Sequence, residues 1–135
     1  MAVFREEAYI LTGMRRGSVW LMTRRQRIIG EPGSVEADWN WALEREERYG
    51  DVVGFLHTHP PAAGTSPSRR DVRTMQAWCG AFGKPMLCVI ACGKRIQSTL
   101  FSDDEDIGRP LPVTENFKRG MIVAVEASEN DNLSA

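Results

Sequence analysis

The sequence predicts a mixed α/β protein, a β-sheet with helices packed on it. Three observations point there. Strand-like and helix-like segments follow one another in the order β-β-β-α-β-α-β-β-β. Two segments, residues 35–49 and 68–82, carry apolar side chains at helical spacing, and each stops at a glycine. Between them, residues 51–56 (DVVGFL) lack polar alternation, as expected of a strand buried on both faces.

Taken in order, residues 8–13 (AYILTG), 18–23 (SVWLMT) and 25–29 (RQRII) read as three strands, with Arg15, Arg16 and Gly17 at a turn. Residues 30–34 (GEPGS) break the pattern. The first helix, residues 35–49, puts Trp39, Leu43, Glu46 and Tyr49 on or near one face with Ala42 beside them, and Gly50 closes it. The strand at 51–56 runs straight into His57-Thr58-His59-Pro60, and a loop of small residues follows at 61–67. In the second helix, residues 68–82, Val72, Met75, Trp78 and Phe82 mark the core face, and Gly83 ends it. Residues 86–93 (MLCVIACG) and 95–102 (RIQSTLFS) read as adjacent strands, 102–116 as a loop, and 121–127 (MIVAVEA) as the last strand. A length of 135 residues predicts one domain, residues 1–126, followed by a frayed tail at 127–135.

Composition narrows the function classes. The chain is 42% hydrophobic and 26% charged, and 17 Lys+Arg against 18 Asp+Glu give a net charge of −1, without the basic excess of a general nucleic-acid binder. No apolar run is long enough to span a bilayer, and the first residues lack the apolar stretch of a signal peptide, so neither a membrane nor a nucleic acid is an expected partner and the cytoplasm is the expected location. The three cysteines, Cys79, Cys88 and Cys92, are odd in number and lack metal-knuckle spacing, which predicts buried reduced thiols.

The two histidines of the chain, His57 and His59, lie two apart on an extended segment, so both imidazoles point to one side. Asp71 follows twelve residues after His59 and three after Ser68. Two imidazoles and a carboxylate leave a fourth position open on tetrahedral zinc, as a hydrolytic site requires. Ser68-x-x-Asp71 also reads as a capping-box variant. Both readings of Asp71 hold together, because a carboxylate in a first helical turn suits the dipole and can still reach a metal.

VVGFLHTHP followed by S-x-x-D resembles the JAMM/MPN+ metalloprotease motif, E…H-[ST]-H-P…S-x-x-D, of zinc isopeptidases that remove ubiquitin or ubiquitin-like proteins. The family's glutamate stands seven residues before a glycine, as Glu6 stands before Gly13, and the resemblance spans residues 4–102. It implies the MPN/JAB (cytidine-deaminase-like) fold, a mixed curved sheet with helices packed on it. It implies one zinc per chain on His57, His59 and Asp71, with water as fourth ligand. Glu6 resembles the general base, and Ser68 the hydroxyl that stabilises the oxyanion. The implied reaction is cleavage after the C-terminus of a ubiquitin-like protein, from a conjugate or a precursor. The small size is most like prokaryotic members, some of which accompany E1-like and E2-like proteins of the same operon. Two alternatives stay open: a catalytically silent MPN scaffold that binds partner proteins, and a metallopeptidase that processes a sulfur-carrier precursor.

Three features depart from the family pattern. Eight residues, 60–67, separate His59 from Ser68 where seven are usual, and Ser66 as a substitute donor would leave four residues before Asp71. Five residues precede Glu6, too few for the helix that usually comes before this strand, and there is no room for the large insertions of many eukaryotic members. Glu7 is the rival base, facing away from Glu6 on an extended strand; Glu31 and Glu36 are more distant candidates. Trp39 and Trp78 are expected in the core and Trp41 off the apolar stripe, at the surface. Arg69, Arg70 and Arg73 crowd the start of the second helix, as a solvated face or as a grip on a substrate tail or acidic partner.

Overall fold

Pairing along the backbone joins eight strands into one sheet. A computed structural model describes residues 4–31, 35–102, 108–116 and 121–126. The elements are β1 (Glu7–Arg16), β2 (Val19–Ile29), α1 (Trp39–Tyr49), β3 (Val52–Thr58), α2 (Arg69–Phe82), β4 (Met86–Cys92), β5 (Arg95–Phe101), β6 (Arg109–Leu111), β7 (Val113–Asn116) and β8 (Met121–Val125). The strand order is β6-β5-β4-β3-β1-β2-β8-β7. The pair β3–β4, joined through α2, is parallel, and the other described pairs are antiparallel. Strands β6 and β7 occupy opposite ends of that order, yet Pro112 alone separates them in the chain. The sheet therefore curls until its ends nearly meet at Pro112, whose carbonyl accepts the Val125 N–H at 3.1 Å and extends the β7–β8 pairing to the seam.

Curling gives the sheet two apolar faces. On β4, Leu87 and Val89 point inside the curl, where Leu11, Trp20, Met22 and Ile122 join them. Met86, Cys88 and Ile90 point outward beneath both helices, with Ile10, Phe55, Met75 and Cys79. Strand β3 is buried along almost its whole length, as the apolar run at 51–56 predicts. It approaches β4 closely at Gly54, where a β-carbon would sit 2.1 Å from Leu87 O. Gly54→Ala is therefore expected to cost about 1–3 kcal/mol by overpacking, read as a lower urea midpoint at unchanged slope.

The structure corrects several expected elements. Residues 18–23 and 25–29 are not two strands but one, β2, which continues through Arg24 and Arg25. The polar run is accommodated by a bulge: the register with β1 shifts between Ala8 and Ile10, and Gln26 opposite takes φ 51°. Helix α1 begins at Trp39 rather than at 35, because the Asp38 carboxylate accepts the Trp41 N–H at 3.1 Å and caps it there. With that start Ala42 faces the core, while Leu43 and Tyr49 are 41% and 59% exposed. Trp41, expected at the surface, packs partly buried against the helix-side core. Residues 109–116, expected as loop, contribute β6 and β7, which are defined by pairing with β5 and β8 rather than by a local pattern. The expected tail at 127–135 lies outside the described residues.

Polar contacts fix α1 to the start of β3. Arg45 grips Asp51 through two hydrogen bonds of 2.8 and 2.7 Å, and Glu46 accepts both the Val52 N–H (3.1 Å) and the Lys84 ammonium (2.8 Å). Helix α2 has a full capping box. Ser68 Oγ accepts the Asp71 N–H at 3.1 Å, and Asp71 Oδ2 accepts the Ser68 N–H at 2.8 Å. Both helices end on a glycine in the left-handed conformation, Gly50 and Gly83. No helix among the described residues is long and apolar enough to cross a membrane.

Candidate metal centre

The parallel pair β3–β4 and the crossover α2 bring one end of β3 against the first turn of α2. His57 lies on β3, His59 just beyond it, and Asp71 at the third position of α2. All three are buried, and one ligating atom from each lies within 4.8 Å of the others. His57 Nε2 is 3.1 Å from Asp71 Oδ1, and His59 Nε2 is 3.6 Å from Asp71 Oδ2. The first contact is close but out of line for a hydrogen bond, so His57 Nε2 is buried without a hydrogen-bond partner. A ring nitrogen with no partner, aimed at a carboxylate, is what a bound cation would complete.

The supporting contacts suit that use. His59 Nδ1 meets Gly64 O at 3.0 Å. A carbonyl only accepts, so Nδ1 carries the proton and Nε2 keeps its lone pair. Asp71 gives Oδ2 to the capping box, which fixes its rotamer while Oδ1 faces His57. Burial opposes its ionisation. The neighbouring His57 and the Ser68 backbone and hydroxyl outweigh that penalty and hold its carboxyl at about 2, so it is an anion at neutral pH. Cys88, by contrast, has its thiol pushed well up by burial and then by the charge of Asp71. It stays neutral, and the donor set is two imidazoles and one carboxylate, which fits zinc.

These residues line a cleft of about 820 Å³ that Glu6 shares. Ala8 pairs with His57 across β1 and β3, and Glu6, two residues earlier, falls on the same face as both. Glu6 is buried, and among the described residues its carboxylate makes no hydrogen bond or ion pair. Glu7 points the other way and pairs with Arg27, while its N–H donates to Thr58 Oγ1 at 2.8 Å. Ser68 and Ser66 both line the cleft, but Ser68 is the helix cap. Its Oγ accepts the Asp71 N–H there, and its hydroxyl also lies against the Asp71 carboxylate at the edge of the cleft. Glu31 and Glu36 are exposed and pair with Arg5 and Arg70.

Several cleft residues have no distinctive spacing in the sequence. Trp39 and Trp78, expected in the core, are only half-buried. They stack at 4.1 Å between ring centroids and form the apolar wall of the cleft. Phe55 joins them to the site, edge-on to Trp39 and stacked on His57 at 5.5 Å. Arg70 and Arg73 stand at the rim. The cysteines are free and buried, as expected.

The family model described as prokaryotic homologs of the JAB domain matches residues 2–102. That span runs just past β5 and contains every residue of the site. No curated protein matches the chain.

Proposed function

Because the chain belongs to the prokaryotic JAB-domain homologues, we propose that it is a zinc-dependent peptidase or isopeptidase that cuts after the C-terminal residue of a ubiquitin-like protein. The observation that carries this reading is the buried, unpartnered His57 Nε2 facing Asp71 in a cleft that also holds Glu6 and Ser68. A scaffold without chemistry has no need of such a set.

His57, His59 and Asp71 would hold the metal. Bound zinc supplies a Lewis acid and lowers the pKa of a water from about 15.7 towards about 7. Glu6, with no competing partner among the described residues, takes the proton of the attacking water and hands it to the leaving amine. The carbon–oxygen bond forms, the carbon–nitrogen bond breaks, and the amine leaves neutral. Ser68 donates its hydroxyl hydrogen to the carbonyl oxygen as negative charge develops there.

Ser68→Ala is expected to keep zinc but lower turnover by about 10²-fold or more. Loss of the helix cap should also cost about 1 kcal/mol. Metal analysis, steady-state rates and urea unfolding on one preparation separate these effects.

The loop at 60–67, rich in small residues, borders the cleft and favours a thin, extended tail such as the glycine-type end of a ubiquitin-like protein. The test is incubation of the zinc-loaded chain with tagged conjugates and precursors of a ubiquitin-like protein encoded beside it, followed by mass spectrometry. Release of the intact partner with a free C-terminal carboxylate supports the proposal. Cutting of unfolded peptides without preference for such a tail would show a general metallopeptidase instead. Neighbouring E1-like and E2-like genes would favour deconjugation, and cysteine or cofactor biosynthesis genes the sulfur-carrier precursor.

A further inference from the structure

The loop between His59 and α2 is anchored by groups with no part in the proposed chemistry. Ala63 N–H donates to Pro60 O at 2.9 Å and closes a turn. Gly64 then takes φ +75°, a left-handed conformation that favours glycine, and its carbonyl returns to His59 Nδ1 at 3.0 Å. The next residue, Thr65, donates its hydroxyl to Gln97 Oε1 at 2.9 Å, bridging 32 residues of sequence to β5. Elsewhere β4 holds the same loop, through His59 N–H to Ala91 O (2.9 Å) and the Cys92 thiol to Pro60 O (3.4 Å).

We propose that Thr65 and Gln97 are positioning residues for the metal centre: their hydrogen bond fixes the Gly64 carbonyl, which keeps the His59 proton on Nδ1 and Nε2 free to bind. The proposal rests on reading His57, His59 and Asp71 as metal ligands. A neutral imidazole carries one proton and places it on the nitrogen that finds an acceptor. Here the acceptor belongs to a loop of Ala62, Ala63 and Gly64, whose side chains offer little to pack. The contact between Thr65 and Gln97 restrains that loop immediately after the carbonyl that matters. Released from β5, the carbonyl loses its fixed position, and the ring loses both its orientation and its tautomer.

Zinc affinity, measured on the full chain by competition with a chromophoric chelator, tests this without reference to catalysis. Thr65→Val keeps the shape and removes the donor, and Gln97→Leu removes the acceptor. Each is expected to weaken zinc binding by about 10- to 100-fold, the usual effect of losing a partner that orients a ligand. Thr65→Ser, which keeps a hydroxyl, should restore wild-type affinity. The double variant Thr65→Val/Gln97→Leu should be no weaker than the worse single one, because a single bond is lost. Melting of the metal-free variants should match wild type, which separates positioning from a general loss of stability. Wild-type zinc affinity in both Thr65→Val and Gln97→Leu would overturn the proposal and leave the metal centre standing. A wild-type chain that takes up no zinc would overturn the metal centre and this proposal with it.

Discussion

His57→Ala and His59→Ala are each expected to abolish stoichiometric zinc binding, and with it hydrolysis. The donor set has three members, so either change leaves one imidazole and Asp71 in a cleft built around a missing ring. Losing a partner that merely orients a ligand costs about 10- to 100-fold in metal affinity, so losing a ligand outright must cost more. The backbone of β3 pairs on both sides independently of these side chains, and the fold should survive. Elemental analysis after zinc reconstitution and dialysis should give about one zinc per wild-type chain and near zero for either variant, with unchanged circular dichroism. Zinc retained at full stoichiometry by His57→Ala would place the metal elsewhere. No zinc in the wild type would sink the hydrolase reading altogether.

Glu6→Gln is expected to lower turnover by about 10²–10⁴-fold while zinc content stays at the wild-type level. The amide keeps the size of the side chain and its place in the cleft but cannot accept the proton. Glu7→Gln should leave turnover near wild type, because Glu7 lies on the opposite face of β1 against Arg27. The pair of variants is decisive in both directions. A dead Glu7→Gln beside an active Glu6→Gln would mean that the base approaches from the other face of the strand. Equal losses would mean that both act through the stability of β1, which urea unfolding of the two proteins would reveal.

Much of this site was legible because its parts are close in the chain. His57, His59, Ser68 and Asp71 fall within one strand-loop-helix passage, and local rules place each: alternation along β3, and a cap at the start of α2. The two helices and the buried strands β3 and β4 were readable for similar reasons. What was not legible depends on distant partners. The sequence reads as two strands parted at Arg24, yet one strand, β2, runs through it and carries a bulge at Gln26. Strands β6 and β7 are too short to show a period, and what defines them is pairing with β5 and β8. Trp41 lies off the expected stripe but packs partly buried against the helix-side core, a tertiary contact that helical spacing alone does not show. The hold of Gln97 on Thr65 has no periodic signature either, since neither residue is unusual on its own strand or loop.

The near-closure of the sheet at Pro112 separates two kinds of motion. Strands β1, β3 and β4 each have neighbours on both sides, so their amides are expected to be among the last to exchange with solvent. Strands β6 and β7 are short and sit at the ends of the order, where local opening needs few bonds to break. Glu6, His57 and His59 border β1 and β3, the two central strands of the order, and Asp71 rides on α2, so none of them sits on an end strand. Opening at the two ends of the order is therefore expected to leave the central cleft in place, so that exchange at β6 and β7 runs ahead of exchange around the proton-transfer groups.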